Sequence, residues 1–456
     1  MFEWVAVILA AGKGIRMKSR MPKVLHPICG REMICYPVER AAEVTSKTIL
    51  VVGSHGEEIR SLLGDSVDFA VQKQPLGTAH ALRCAQPMAD GKGENILVLN
   101  GDVPLISATT LKEMMMRHLA RRAVVTILTA MVDNPEGLGR VVRDERGKVM
   151  AVVEEAEADE ELIKAREVNA GVYCFRGQWL WPRLKTVPRR GNGEHYLTDM
   201  VFLAREEGEE IEAVSSTQAG ETIGINTRQQ LARAEEILRD RIRQRAMSQG
   251  VTLLDPRSVY IDEGVSIGRD TVVYPNTYLL GRTAIGEECR IGPNSIIENS
   301  SVGKGCHIQA SVLEGAAVAE GVTIGPFSHI RFQSHIGRGV HIGNFAEVKN
   351  SRLGAGTKVG HFSYVGDAEL GSEVNIGAGT VTCNFDGVGK HRTVIDDGAF
   401  IGSDTMLIAP VHVGRGAITG AGSVVNHDVP PETLAVGVPA RLRKKGKVKV
   451  PPAPSL

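Results

Sequence analysis

A chain of 456 residues is too long for one core, and a prior of roughly 150 residues per domain predicts two or three domains. Its 53 basic and 53 acidic side chains cancel, so no global attraction to nucleic acid or to an acidic membrane is expected. No apolar run approaches the roughly eighteen residues of a membrane span, and seven cysteines without a CxxC pair fit reduced thiols of a cytoplasmic protein better than a disulfide framework.

The first half alternates short apolar runs with helical stretches. Runs at 4–9, 48–53, 67–71, 95–99 and 123–132 read as buried strands. The first follows Glu3 rather than a basic residue and ends in a glycine loop, which marks a strand and not a signal peptide. This βα alternation predicts an α/β fold whose mostly parallel sheet is covered by helices on both faces, with ligands gathering beyond the carboxyl ends of the strands. The loop after the first strand brings Gly12, Lys13, Gly14 and Arg16, then Pro22-Lys23, so it combines permissive backbone with positive charge. It is not GxGxxG, because Met17 stands where the third glycine belongs, and it is not a P-loop, because no GKS or GKT follows. Taken alone, it also fits an ordinary strand-to-helix turn. The 96–99 run delivers Asn100-Gly101-Asp102 at its end, where a carboxylate can hold Mg²⁺ against phosphate oxygens. Ser107 is better placed than Asp102 to cap the helix expected over 111–118. Gln72 and the Gly77-Thr78 pair lie on another such loop and suit a base or a phosphate.

From 227 to 247 there is neither glycine nor proline. Leu231, Leu238, Ile242 and Arg245 fall at helical spacings, which predicts a long exposed linker helix closed by Gly250. Glu235, Glu236 and Asp240 interleave with its arginines, a pattern of solvated surface rather than of a nucleic-acid helix.

Beyond Ile267 and as far as Val425, an aliphatic residue followed by a small one returns about every six positions. Ile285, Ile291, Ile336, Ile342, Leu353, Val359, Val365, Leu370 and Ile376 mark the beat. Such a period suits a chain wound around a triangular prism, one short strand per face, in a parallel β-helix. His329, His335 and His341 are six apart, but that spacing moves each to a different face, so no metal site is expected of them. Polar residues cluster at 331–384, and TCNFDGVGKHR at 382–392 interrupts the hexads for some twenty residues before Ile401-Gly402 resumes the beat. The run Arg441, Arg443, Lys444, Lys445, Lys447 and Lys449 reads as a solvated basic tail.

In combination, LAAGKGIRM with Pro22-Lys23, LGT at 76–78, GDVPL at 101–105 and GIN at 224–226 resemble the sugar-nucleotide pyrophosphorylases. Joined to a hexad domain of this length, they resemble the bacterial bifunctional N-acetylglucosamine-1-phosphate uridyltransferase and glucosamine-1-phosphate acetyltransferase family, from residue 7 to about 439. The resemblance implies a Rossmann-like nucleotidyltransferase domain at 1–226, a linker helix at 227–249, a left-handed β-helix of hexapeptide repeats at 250–440 and a basic tail at 441–456. It implies glucosamine 1-phosphate, acetyl-coenzyme A and UTP as substrates, Mg²⁺ as cofactor and assembly as a homotrimer. The product would be UDP-N-acetylglucosamine for peptidoglycan and lipopolysaccharide precursors.

By the same resemblance Leu9, Ala10, Ala11, Gly12, Gln72, Gly77 and Thr78 hold the uridine, with Asn100 and Gly101 beside it. Lys23 and Arg16 meet the phosphates, Asp102 and Asn226 carry Mg²⁺, and Gly139, Glu154 and Asn169 line the sugar. In the second half His361 is the general base, with Glu347 to orient it. Arg331 and Lys349 bind the sugar phosphate, and Tyr364 and Asn375 touch the sugar. Ala378, Asn384, Phe385, Ser403 and Ala421 contact acetyl-coenzyme A. Two positions depart from the family pattern: Phe385 stands where a tyrosine is expected, and Gly437 replaces the arginine before Val438-Pro439. The rival readings are a pyrophosphorylase whose β-helix only oligomerises or regulates, and a non-catalytic assembly factor.

Overall fold

The computed structural model describes residues 3–53, 56–89, 91, 94–218 and 220–444. The chain divides inside its long helix into two compact units, Met1–Leu238 and Arg239–Leu456.

In the first unit the elements run β1 (Trp4–Ala10), β2 (Pro27–Ile28), β3 (Arg31–Glu32), α1 (Cys35–Ala42), β4 (Lys47–Val52), α2 (Gly56–Leu63), β5 (Asp68–Val71), α3 (Thr78–Ala89) and β6 (Asn95–Asn100). Then come α4 (Ala108–Arg121), β7 (Val125–Met131), β8 (Arg140–Arg143), β9 (Val149–Val153), β10 (Glu167–Arg176), α5 (Gly177–Arg183), α6 (Asp199–Glu206), β11 (Ile211–Ser215) and α7 (Arg228–Ser248), which crosses the division. The sheet has the order β11-β7-β10-β6-β1-β4-β5. Alternate residues of the central strands feed two separate cores. Val5, Val7, Ile49, Val51, Ile96 and Val98 pack with α3, α5 and α6, while Ala6, Ile8, Leu50, Val52, Leu97 and Leu99 pack with α1, α2 and α4. Because Leu9 pairs with Asn100 and Ala10 with Val52, the carboxyl ends of β1, β4 and β6 finish together. Ser107 caps α4 as expected, its Oγ accepting from Thr110 N at 3.2 Å.

One feature refines and one corrects the sequence-based expectation of a mostly parallel sheet and an exposed helix. The sheet is mixed, since β10 lies antiparallel to both β6 and β7 and is joined by the antiparallel β8–β9 pair. The helix α7 is not exposed all round: Ala234, Leu238, Ile242 and Ala246, four apart, form a buried stripe. Within the second unit its arginines are engaged, Arg239 over the Tyr260 ring at 4.5 Å, Arg243 donating to Pro256 O at 2.7 Å and Arg245 paired with Glu263 at 3.1 Å.

The second unit is a left-handed parallel β-helix with three faces. The first begins at Thr252–Leu253, the second at Val259–Ile261 and the third at Ser266–Ile267, so the winding starts about one coil before the regular beat. Every aliphatic that marked the beat is buried, from Ile291 and Ile342 at 0% exposure to Leu370 at 5%. Register places Ile342 over Ile324 below and under Val359 above, so each core residue packs on its counterpart one coil away. His329, His335 and His341 stand on three different faces. The interruption is shorter than twenty residues. Thr382, 1% exposed, still fills an inward position, and strand Thr393–Ile395 resumes the ladder, leaving 384–392 as the projecting loop. Hydrogen bonding explains this, since the Thr382 hydroxyl donates to Gly366 O at 3.0 Å and lets a polar residue occupy a core slot.

Corners demand left-handed backbone, and phenylalanine supplies it at three successive coils: Phe327 (φ 63°), Phe345 (φ 58°) and Phe362 (φ 47°). Such a conformation costs a non-glycine residue on the order of 1–3 kcal/mol. Stacking of the rings at 5.4 and 5.2 Å returns part of it, about 0.5–1.5 kcal/mol per pair. The described tail residues Arg441–Lys444 pair antiparallel with Thr433–Val436, while Lys445, Lys447 and Lys449 lie outside the described residues.

Close packing of the coils makes a definite expectation. Ile342→Ala should destabilise the protein by about 2–5 kcal/mol, seen as an earlier denaturant midpoint of the full-length chain. A change below about 0.5 kcal/mol would contradict a close-packed prism.

Candidate functional site

Each unit carries one candidate site. In the first, Leu9, Ala10, Ala11 and Gly12 open into a cleft of about 680 Å³, whose walls also include Lys13, Arg16, Lys23, Gln72, Gly77, Thr78, Asn100, Asp102 and Asn226. Gly77 has to be glycine there: its φ is +94°, and an added Cβ would sit 2.5 Å from His195 O. That close approach lets segment 195–197 zip onto the loop, with His195 N donating to Leu76 O and Leu197 N to Thr78 Oγ1, both at 2.9 Å. Gly101 is not a wall residue. Its N–H donates to Leu9 O at 2.9 Å, and it packs beneath the cleft with the Ile34 Cδ1 only 3.0 Å from an added Cβ.

At the centre, Lys23 Nζ donates to an Asp102 carboxylate oxygen and, at 2.9 Å, to Asn226 Oδ1. Ile225 N donates to Asp102 O at 2.9 Å and anchors the 224–226 segment beside β6. A carboxylate and an amide oxygen thus already converge on one cationic group. Hard oxygen donors of this kind are what magnesium takes, so the residues present fit it.

Gly139, Glu154 and Asn169 form a second group. Asn169 N donates to Gly139 O at 2.9 Å and Asn169 Nδ2 to Tyr173 Oη at 2.6 Å, while Glu154 Oε1 accepts from Thr198 Oγ1 at 3.0 Å. Gly171, on the same strand as Asn169, lies against the Asn100 amide and brings this group up to the cleft. Burial raises the Glu154 pKa, with Asp199, Glu157 and Glu194 adding repulsion against the one opposing hydrogen bond from Thr198.

In the β-helix, His361 ends a first-face strand, Phe362 turns the corner and Tyr364 opens a second-face strand. Asn344 lies directly beneath His361 in register, and its Oδ1 accepts from His361 Nδ1–H at 2.5 Å. With Nδ1 protonated, Nε2 keeps its lone pair and is free to act as a base. Glu347 does not orient the imidazole within this chain. It stands on the next face and accepts from Arg331 Nη1 at 2.8 Å. Lys349 follows on the same strand. Lys390, from the projecting loop, comes close enough that the Lys349 ammonium lowers its pKa, with Asp367 and Tyr364 opposing. Asp367 in turn accepts from Asn384 Nδ2 and from Asn350 Nδ2 at 2.5 Å.

The expected acetyl-coenzyme A residues fall into two places. Ala378, Ser403 and Ala421 stack at one corner, where Asp404 N donates to Ala378 O at 2.7 Å and Gly422 N to Ser403 O at 2.8 Å. Asn375 sits on the strand leading into that corner. Asn384 and the exposed Phe385 lie past the far end of the next strand, Val381–Cys383. Sequence reading missed Asn344, Lys390, Glu194 and Thr198. Lys390 was within the quoted loop, but only the Phe385–Lys390 bridge shows that the loop folds back.

Residues 5–231 match the family model of nucleotidyl transferases, and residues 264–299 and 392–427 match that of the bacterial transferase hexapeptide (six repeats). A curated relative named bifunctional protein GlmU from Geobacillus sp. (strain WCH70) is 46% identical over 450 residues, covering 98% of both chains. Relatives of the same name from Exiguobacterium sp. (strain ATCC BAA-1283 / AT1b) and Heliobacterium modesticaldum are 45% and 46% identical, over 98% and 96% of this chain and 100% and 96% of their own. A cleft of nucleotidyl-transferase type, a polar cluster on a hexapeptide prism and this likeness along almost the whole chain agree: the chain belongs to the bifunctional GlmU family, a nucleotidyltransferase and an acetyltransferase in one polypeptide.

Proposed function

We propose that residues 250–440 acetylate glucosamine 1-phosphate from acetyl-coenzyme A, and that residues 1–226, joined to them by 227–249, couple the product to UTP, giving UDP-N-acetylglucosamine and pyrophosphate. The observation that carries the reading is the meeting of Lys23, Asp102 and Asn226 inside a cleft that also holds Gln72, Gly77 and Thr78. In the uridyl step a phosphate oxygen of the sugar attacks the α-phosphorus and pyrophosphate leaves, so the protein has to position two anions and neutralise their charge. Leu9 to Gly12 with Gln72, Gly77 and Thr78 receive the nucleoside. Arg16 and Lys23 face the phosphates, while Gly139, Glu154 and Asn169 take the acetylated sugar. Mg²⁺ held by Asp102 and Asn226 would supply further neutralisation of the phosphate oxygens.

In the acetyl step the amine attacks the thioester carbonyl, the coenzyme thiol leaves, and His361 Nε2 takes the proton released by the amine. Asn344 holds the tautomer that leaves Nε2 free. Arg331, Lys349 and Lys390 face the sugar phosphate, and Tyr364 and Asn375 the sugar. Acetyl-coenzyme A lies along Ala378, Ser403 and Ala421. Asn384 and Phe385 stand a strand away from that corner, which favours a homotrimer in which neighbouring chains complete the cleft. The exposed ladder of Phe327, Phe345 and Phe362 offers apolar surface for such a neighbour. Seven free cysteines favour a reducing compartment, the cytoplasm.

Supplying glucosamine 1-phosphate, acetyl-coenzyme A and a panel of nucleoside triphosphates, with products identified by mass spectrometry, tests both halves at once. Asp102→Ala should abolish Mg²⁺-dependent pyrophosphate release and leave acetyl transfer intact. His361→Ala should lower acetyl transfer by at least about 10²-fold while uridyl transfer persists; an unaffected acetyltransferase would remove His361 from the mechanism. Glu154→Gln keeps an acceptor for Thr198 but not the buried charge. A carboxyl whose pKa is raised on folding costs stability once pH exceeds its unfolded value. The variant should therefore melt higher than wild type at pH 7.5, the difference shrinking as pH falls toward 4, with weaker uridyl transfer. An equal or lower melting temperature at pH 7.5 would contradict the assigned burial cost.

A further inference from the structure

Gln72 lines the nucleotide cleft yet is only 6% exposed, so its amide must satisfy itself within the protein wherever it does not face the ligand. Its Nε2 donates to Gly77 O at 3.1 Å and lies 2.9 Å from His80 Nδ1. A backbone carbonyl can only accept, so the nitrogen and not the oxygen of the amide faces Gly77. His80 Nδ1, meeting that same NH₂, must then accept as well, which places the imidazole proton on Nε2. Both amide hydrogens are used, and Oε1 is the atom left for the cleft.

We propose that His80 is a positioning residue for base selection, locking the Gln72 amide so that it presents only an acceptor to the pyrimidine. The inference rests on the uridyl-transfer reading given above. Uracil carries a hydrogen on N3 and cytosine carries a lone pair there, so a fixed carbonyl oxygen attracts the first and repels the second. Rotating the amide to suit cytosine would turn Oε1 against Gly77 O, which can only accept, and would require the His80 proton to move from Nε2 to Nδ1. The lock works only while Nδ1 is unprotonated. Burial lowers the His80 pKa, and the charges of Arg83 and His195 lower it further, so the acceptor form prevails near neutral pH. Selectivity here comes from denying the wrong base a partner as much as from serving the right one.

The test is the ratio of kcat/KM for UTP over CTP, with N-acetylglucosamine 1-phosphate and Mg²⁺, in the full-length protein. His80→Phe keeps a ring but removes the acceptor, and should lower the ratio about tenfold, the worth of one lost hydrogen bond. His80→Asn keeps an acceptor near the Nδ1 position and should hold the ratio close to wild type. Should the phenylalanine variant not fold, His80→Ala removes the acceptor without adding bulk, and the same ratio decides. An unchanged ratio without the acceptor, or an equal loss in His80→Asn, overturns the lock while leaving uridyl transfer standing. A wild type with no preference for UTP overturns the uridine reading and the lock together.

Discussion

Parallel ladders of backbone hydrogen bonds hold the reactive side chains of both halves in place. In the first unit, β1, β4 and β6 run in register and finish at a common edge, and the residues just past that edge become the walls of one cleft. In the second, the ladder repeats around three faces, so residues one coil apart in sequence become vertical neighbours, as Asn344 and His361 do. A one-residue slip would exchange the two core faces of the first unit's central strands and turn the aliphatic row of the prism out to solvent, so register is closely held. The positions of the reactive groups therefore follow from the burial of residues that take no part in chemistry.

Polar groups inside this framework are placed at some energetic cost and are matched closely. Asp102 and Lys23 neutralise one another across the cleft, Asn226 accepts a further hydrogen bond from Lys23, and Gln72 directs both amide hydrogens to protein acceptors. Glu154 is less well served, its hydrogen bond from Thr198 opposed by burial and three nearby carboxylates. A group kept in so unfavourable a state is consistent with a ligand that rewards it. In the prism, buried hydroxyls play the opposite part: Thr382 and Ser363 bond carbonyls of adjacent coils and allow polar side chains in core slots.

Much of this was legible in the residues. Apolar runs located the central strands to within one or two positions, and the six-residue beat named side chains that are all buried. The motif loops after β1, β5 and β6 do meet in one cleft, since the ends of parallel strands have nowhere else to bring their loops. Less legible was anything that depends on direction or closure. The antiparallel course of β10 between β6 and β7 is a matter of strand direction, which hydropathy does not reveal. The buried stripe of α7 starts at alanines, Ala234 and Ala246 flanking Leu238 and Ile242, whose mild hydropathy hides it among charges.

Composition and spacing by themselves determined the two-part plan, the prism, the charge balance and the set of polar residues from which the sites are drawn. Partner choice was decided only in three dimensions. The family resemblance implied Glu347 as the orienter of His361, but the corner at Phe362 turns the chain between faces, giving His361 to Asn344 and Glu347 to Arg331. The orientation of the Gln72 amide likewise depends on Gly77 and His80 meeting one NH₂ group. Hydropathic periodicity records which way a side chain points relative to the core, because burial energy acts on each residue separately. Hydrogen bonds are directional and short, so their pairing is settled by where neighbouring strands, corners and loops place the atoms.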